Sequence, residues 1–214
     1  MKSKPEFIKH CEELRTEETF SYPGDSETFG TGASLGRRLG LERVAINYEV
    51  LAPGDRSSWP HTHKEAEEFI FILEGTPQIW IDGNVFDLKS GDCVGLPPGT
   101  GHAHTLLNNS DENVRALVMG ECHVPTDKIF YPMHPARDEE MKKKSAFWGG
   151  HPRKELGEHD GWTDRNRKKM KLSAEETAEK LFNEKYPDAK AFFLAGSVLR
   201  GEATPYSDLD IVIV

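Results

Sequence analysis

Between residues 41 and 124 the chain repeats one rhythm, a short apolar or β-branched run followed by a turn signal. The runs are VAINYEVL, EFIFILEG, PQIWID, NVFDL, CVGLP, HTLLN and VRALVMG, each of strand length. Between them stand Pro53-Gly54, Asp82-Gly83, Ser90-Gly91, Pro97-Pro98-Gly99 and the polar stretch Asn108 to Asp111. Proline presets one turn dihedral and glycine supplies positive φ, so these are turn residues with a mechanism. Many short strands at this spacing predict an antiparallel barrel or sandwich, a mainly β fold.

The flanks read differently. Residues 1–40 are polar with scattered glycine and proline, which predicts an irregular arm with one short helix. Residues 125–171 are rich in His, Pro, Gly, Lys and Glu, with aromatic anchors Phe130, Tyr131, Phe147, Trp148 and Trp162. This composition suits a tail wrapped over the barrel, then a charged linker. In the final part, residues 172–214, Ser173-x-x-Glu176 is a capping box heading SAEETAEKLFNEKY. Ala174, Ala178, Leu181 and Phe182 follow on one helical face. Then come AFFLAGS, a glycine-containing loop, and DLDIVIV, which together read as strand, loop, strand.

Charge and composition exclude several classes. The net charge of -9 argues against broad nucleic-acid binding. The sequence contains no apolar run long enough to span a bilayer, and the N-terminus is polar and mixed in charge. A soluble cytoplasmic protein without membrane or nucleic-acid partners is expected. Cys11, Cys93 and Cys122 are odd in number and widely spaced, so a disulfide framework is not expected, and the sequence has no C-x-x-C motif. The basic runs Lys142 to Lys144 and Arg165 to Lys171 read as solvated faces or linkers.

The chemistry concentrates in two stretches. In GDRSSWPHTHKEAEEFIFILEG, His61 and His63 are at i and i+2, which on a strand places both imidazoles on one face. Glu68 opens the next apolar run, so an adjacent strand can bring its carboxylate beside them. Two neutral imidazoles and a carboxylate suit Fe, Mn, Ni, Cu or Zn. In GDCVGLPPGTGHAHTLLN, His102 and His104 repeat the i, i+2 spacing after a tight turn. One of them completes the metal shell, and the other serves as an acid–base group or a supporting hydrogen-bond partner. A single H-x-H is commonly a surface or hydrogen-bonded core pair. Four histidines and a glutamate in two hairpin contexts point to one divalent transition metal. Arg56, close by, is a candidate for attracting an anionic ligand, with a solvated surface role as the alternative.

These stretches resemble the paired motifs of the cupin superfamily. The first motif, G-x(5)-H-x-H-x(3,4)-E-x(6)-G, runs here from Gly54 through His61, His63 and Glu68 to Gly75, with one extra residue before His61. The second, G-x(5)-P-x-G-x(2)-H-x(3)-N, runs from Gly91 through Pro97 and Gly99. His102 satisfies its spacing from Gly99, and His104 its spacing to Asn108, so the fourth ligand is either one. The stretch with its tail, including YPMHPARDEEMK and FWGGHP, resembles small bacterial single-domain cupins over residues 30–160. The resemblance implies a double-stranded β-helix, a jelly-roll barrel, in a homodimer that takes a small-molecule ligand. Cupins include oxygenases, isomerases, decarboxylases and non-catalytic binding modules, so the resemblance implies a metal site without naming a reaction.

LAGSVLRGEATPYSDLDIVIV carries a second pattern. Gly196-Ser197 opens a turn whose amides and hydroxyl suit phosphate, and Asp208 and Asp210 share one face of a strand, where they suit Mg²⁺. The segment resembles the start of a minimal nucleotidyltransferase of the DNA polymerase β superfamily. Gly196, Ser197, Asp208 and Asp210 fall on the family pattern, and Arg200, Gly201 and Ser207 fit the loop between. The resemblance implies a third carboxylate on a later strand, so an incomplete α/β segment is expected here, part of a longer fusion in which the cupin is a sensor or regulator. Nucleotidyl transfer by these residues alone is not expected.

Overall fold

Each of the seven apolar runs becomes a strand. A computed structural model describes residues 4–16, 18–22, 27–122, 124–186, 190–195 and 210–214. The chain divides into two compact units, Met1–Gly161 and Trp162–Val214.

In the first unit, β1 (Thr31–Ser34), β2 (Val44–Leu51), β4 (Glu68–Glu74), β7 (Cys93–Leu96) and β9 (Val114–Glu121) form an antiparallel sheet in the order β1-β2-β9-β4-β7. A second sheet has the order β6-β5-β8, from β5 (Gln78–Ile81), β6 (Asn84–Asp87) and β8 (His104–Leu107). The chain passes from β4 to the second sheet, back to β7, over to β8 and back to β9. That alternation between two facing sheets is the jelly-roll arrangement. The core draws on both sheets: Leu51, Ile70, Ile72, Val114 and Ala116 from the first, Ile79 and Leu106 from the second. Each Val, Leu or Ile side chain among them stabilises the fold by about 1.5–3 kcal/mol on burial. Among the described residues no continuous ladder closes the two sheets into a barrel. Isolated bridges, Arg56 to Leu107 and His61 to His104, extend the second sheet along the open side of β8.

Two features differ from the sequence reading. The N-terminal arm contains α1 (Cys11–Leu14), the edge strand β1 and α2 (Leu35–Arg38). β1 was illegible because its sequence, Thr-Gly-Ala-Ser, lacks an apolar alternation. Its glycine has a packing reason, since a Cβ on Gly32 would lie 2.0 Å from the Tyr48 carbonyl oxygen. In the second unit, helix α4 (Asp164–Lys185) starts well before Ser173, with Thr163 as N-cap. The capping box sits inside this helix, where the Ser173 carbonyl accepts a bond from Thr177 Oγ1 at 2.7 Å. The helix therefore crosses residue 171, where the charged linker was expected to end.

The tail after β9 folds back on the first unit. β10 (Ile129–Phe130) pairs with β3 (Thr62–His63), placing Ile129 opposite His63. Helix α3 (Pro135–Lys143) follows, capped by His134 Nδ1, which accepts from the Arg137 amide. Residues 157–159 lie on the β5–β6 turn, where Gly157 N donates to Asp82 O and Trp80 Nε1 to His159 O. Only glycine fits that crossing, because a Cβ on Gly83 would fall 2.3 Å from Gly157 N. In the second unit, β11 (Phe192–Ala195) pairs antiparallel with β12 (Asp210–Ile213), and Phe182 of α4 packs on Phe192 at 4.8 Å between ring centroids. No described helix is long and apolar enough to cross a membrane.

Candidate metal centre

β3, the start of β4 and the start of β8 bring three imidazoles around one carboxylate oxygen. Glu68 Oε2 lies 3.0 Å from His104 Nε2, 3.7 Å from His63 Nε2 and 3.9 Å from His61 Nε2. His61, Glu68 and His104 each offer one ligand atom, all within 4.8 Å of one another, and His63 stands at the rim of that trio. Strand pairing sets this convergence. His61 bridges His104, while Glu68 sits opposite Gly120 of β9, where no side chain fills the space.

The far nitrogens are also held. His61 Nδ1 donates to the Trp59 carbonyl at 2.8 Å, and His63 Nδ1 donates to Asp127 Oδ2 at 2.5 Å. His104 Nδ1 faces the His102 carbonyl at 3.5 Å. With the proton on Nδ1, each ring turns its Nε2 lone pair toward the cluster, as a metal ligand requires. Tyr131 stacks on His61, with ring centroids 5.6 Å apart.

The electrostatics agree with a ligand set. Burial pushes His61 down to about 4, so its ring is neutral near pH 7. Burial works in the same direction on His63, but the Asp127 hydrogen bond and the charges of Glu68 and Asp127 outweigh it and raise the group. Burial opposes ionisation of Glu68, yet His104, His61 and His63 prevail and hold its carboxyl below the usual carboxylate range. Glu68 Oε2 is nonetheless shielded from solvent without a hydrogen-bond partner. Its nearest nitrogen is His104 Nε2, 3.0 Å away. A carboxylate oxygen shielded from solvent, without a hydrogen bond and among three imidazoles, has a surrounding that a divalent metal fits.

His102 is placed elsewhere. Its Nδ1 donates to Asp82 Oδ2 at 2.5 Å, its Nε2 faces Lys154 Nζ at 3.4 Å, and half of its side chain is exposed. Of the two histidines left open by the motif spacing, only His104 stands at the cluster. His102 is therefore not positioned as an acid–base group beside it. Arg56 matches neither sequence alternative. It is fully buried, bonded to Glu27 at 2.7 and 2.6 Å and to the Gly161 carbonyl at 2.9 Å, and its guanidinium lies 4.0 Å from the Trp59 ring. A guanidinium so engaged supports the fold instead of meeting a ligand. Asn108, the last residue of the second motif, is also structural: its amide donates to the carbonyls of Leu51 and Glu112, both at 2.8 Å.

Sequence reasoning missed Asp127. Its Oδ1 accepts from the amides of Glu65 and Ala66, so one carboxylate orients His63 and pins the loop leading to Glu68. The available signal was the strand-like KIFY following Asp127, a segment read only as tail. Of the C-terminal candidates, Gly196, Ser197 and Asp208 lie outside the described residues, and Asp210 opens β12 opposite Ala195.

A cavity of about 740 Å³ lies on the inner face of the first sheet, lined among others by Ser34, Asn47, Glu49 and Ser57. A smaller one, about 100 Å³, is bounded by His63, Glu68 and Asn47. Asn47 is common to both.

Two facing antiparallel sheets with a His/Glu cluster at strand ends define a cupin fold. Residues 47–120 match the family model of the cupin domain, and residues 175–214 match that of the nucleotidyltransferase domain. The chain thus carries a cupin domain and, after it, a nucleotidyltransferase-like segment. Polyketide synthase CurC of Streptomyces cyaneus is 32% identical over 94 residues, which cover 44% of this chain and 56% of CurC. Quercetin 2,3-dioxygenase of Bacillus subtilis is 31% identical over 72 residues, 33% of this chain and 21% of the enzyme. Less than two thirds of either relative is therefore spanned. Among solved structures, a candidate sugar phosphate isomerase from Acidithiobacillus ferrooxidans is 25% identical, with a TM-score of 0.54 over 59% of this chain and 81% of that one.

Proposed function

We propose that the cupin domain holds one divalent transition metal through His61, His63, Glu68 and His104, and acts there on a small polar molecule. The observation that carries this reading is the Glu68 oxygen, shielded from solvent, faced by three Nε2 atoms and without a hydrogen-bond partner. A metal so held supplies a Lewis acid for a carbonyl or hydroxyl oxygen. The chain's own residues do the rest. Trp59 and Asp127 fix the ring tautomers, Tyr131 covers one face of His61, and Asn47 lines both cavities. Fe, Mn, Ni, Cu and Zn all accept such a donor set.

The relatives whose names describe enzymes act on different molecules, so the reaction is an inference from the site. The likeness to a candidate sugar phosphate isomerase makes phosphorylated sugars the first compounds to assay. Elemental analysis of the purified chain tests the centre: about one metal per chain is expected, and a marked loss in His61→Ala and Glu68→Ala. Unchanged metal in both variants would falsify the site. Aldose–ketose interconversion, followed by NMR on the metal-loaded chain, then separates turnover from binding alone.

The family match of residues 175–214 supports a second reading, in which the cupin regulates a nucleotidyltransferase of a longer protein. Asp208 and Asp210 would then hold Mg²⁺. Nucleotide binding that depends on Mg²⁺ and is lost in Asp208→Asn and Asp210→Asn is its test.

A further inference from the structure

Residues of β2 alternate between the two faces of the first sheet, and Leu51 enters the apolar core. Two positions earlier, on the same face, stands an acid. Glu49 lines the cavity of about 740 Å³, together with Ser34, Asn47, Ser57, Arg37 and Arg38. Its Oε2 is shielded from solvent and has no hydrogen-bond partner among the described residues. The residues across from it are Gly32 of β1 and Ala116 of β9, neither of which has a polar side chain to offer. An unpartnered carboxyl group is an expensive way to line a sheet, and a buried polar atom left unsatisfied calls for an explanation. Leucine at this position would extend the core. Glutamine would fill the same space without a charge.

One charged group, Glu68, acts on this carboxyl, and three more line its cavity. Glu68 acts from β4, Arg37 and Arg38 line the cavity from α2, and Glu18 lines it from the N-terminal arm. On β9, the residues of the inner face nearest the site, Ala116 and Val118, carry no charge. Burial, followed by the negative charge of Glu68, pushes Glu49 up to about 7. Below about pH 7 burial and Glu68 favour the protonated form of this group, whereas an ordinary glutamate is already ionised there. Asn47, two residues away on the same face, also lines the smaller cavity that His63 and Glu68 bound, and an unpartnered carboxyl in such a setting has the properties of an acid–base catalyst.

We propose that Glu49 is the acid–base group of the cupin cavity, exchanging a proton with an oxygen of a small anionic ligand lodged between it and the His61–His63–Glu68–His104 cluster. In the forward step the Glu49 O–H bond breaks and its electron pair stays on the carboxylate. The proton forms a new O–H bond on a ligand lone pair. The reverse step restores the acid, and no oxidant or reductant enters. Arg37 and Arg38 supply the positive charge that favours an anion in the cavity, and Asn47 and Ser57 supply neutral polar groups. The proposal rests on the metal reading above for the second wall of the ligand site.

The test is ¹³C NMR of the full chain, metal-free and then zinc-loaded, labelled at its glutamate side-chain carboxyls, with Glu49→Gln identifying the resonance. In the metal-free chain the Glu49 signal is expected to titrate near neutrality, well above an ordinary glutamate. Oxalate, used as a small oxygen-rich anion, is expected to raise the zinc-loaded midpoint. A metal-free Glu49 signal that titrates in the ordinary glutamate range overturns the proposal, and so does a zinc-loaded midpoint indifferent to excess oxalate. Zinc content is measured on the zinc-loaded samples. A zinc-free wild type would sink the metal reading by itself, whereas zinc bound normally beside an ordinary Glu49 would sink only the role of Glu49.

Discussion

His61-x-His63 and His102-x-His104 have the same spacing and opposite fates. Both rings of the first pair reach the cluster, but only one ring of the second does. The difference is secondary structure. His63 is in β3, and His61 joins the same extended segment through its bridge to His104. Same-face geometry at i and i+2 holds there. His102 precedes β8, which begins at His104, and Gly101 has a φ of 75°, so the backbone turns between the glycine-rich loop and the strand. Spacing predicts a shared face only within a strand. Each pair also has its own carboxylate. Asp127 holds His63 inside the cluster, while Asp82 holds His102 outside it.

The comparison can be broken most directly at the second pair. His104→Ala is expected to weaken metal binding roughly 100-fold or more, because removing a ligand outweighs removing a supporting partner. His102→Ala is expected to leave affinity within about twofold. Competition against a chelating dye measures both, and equal losses would return His102 to the metal shell. A smaller effect is expected from the carboxylates. Asp127→Asn removes the charge behind His63 and is expected to weaken binding about tenfold. Asp82→Asn should not alter affinity, and the same dye competition would expose any change. The smallest effect is on stability. Asp82 bonds both the His102 ring and the Ala103 amide, so Asp82→Asn is expected to destabilise the fold by about 1–2 kcal/mol in urea unfolding. A metal loss in this variant larger than in Asp127→Asn would invert the assignment of the two carboxylates.

Legibility in the sequence followed the strength of local pattern. β2, β4, β5, β6, β7, β8 and β9 were all readable, because alternation of burial and turn chemistry are written within a few residues. β1 was not, because a glycine-containing edge strand takes its place from close backbone approach to β2. The start of α4 was misread for a related reason. A capping box states that a helix can begin at Ser173, while the polar residues from Asp164 onward carry no apolar stripe to reveal that it already has. The buried pair of Arg56 and Glu27 was beyond reach, since it joins residues from separate segments and a surface arginine looks the same in sequence.

The sequence by itself determined the strand rhythm, the cupin motifs and three of the ligand candidates, His61, His63 and Glu68. These are consequences of short-range geometry, in which side chains at fixed offsets share a face. Tertiary structure alone decided that His104 and not His102 joins them, that Asp127 stands behind His63, and that Glu49 faces a cavity without a partner. Each of those outcomes depends on which distant segment is packed alongside, and burial and charge acquire their effect on chemistry only after that packing is complete.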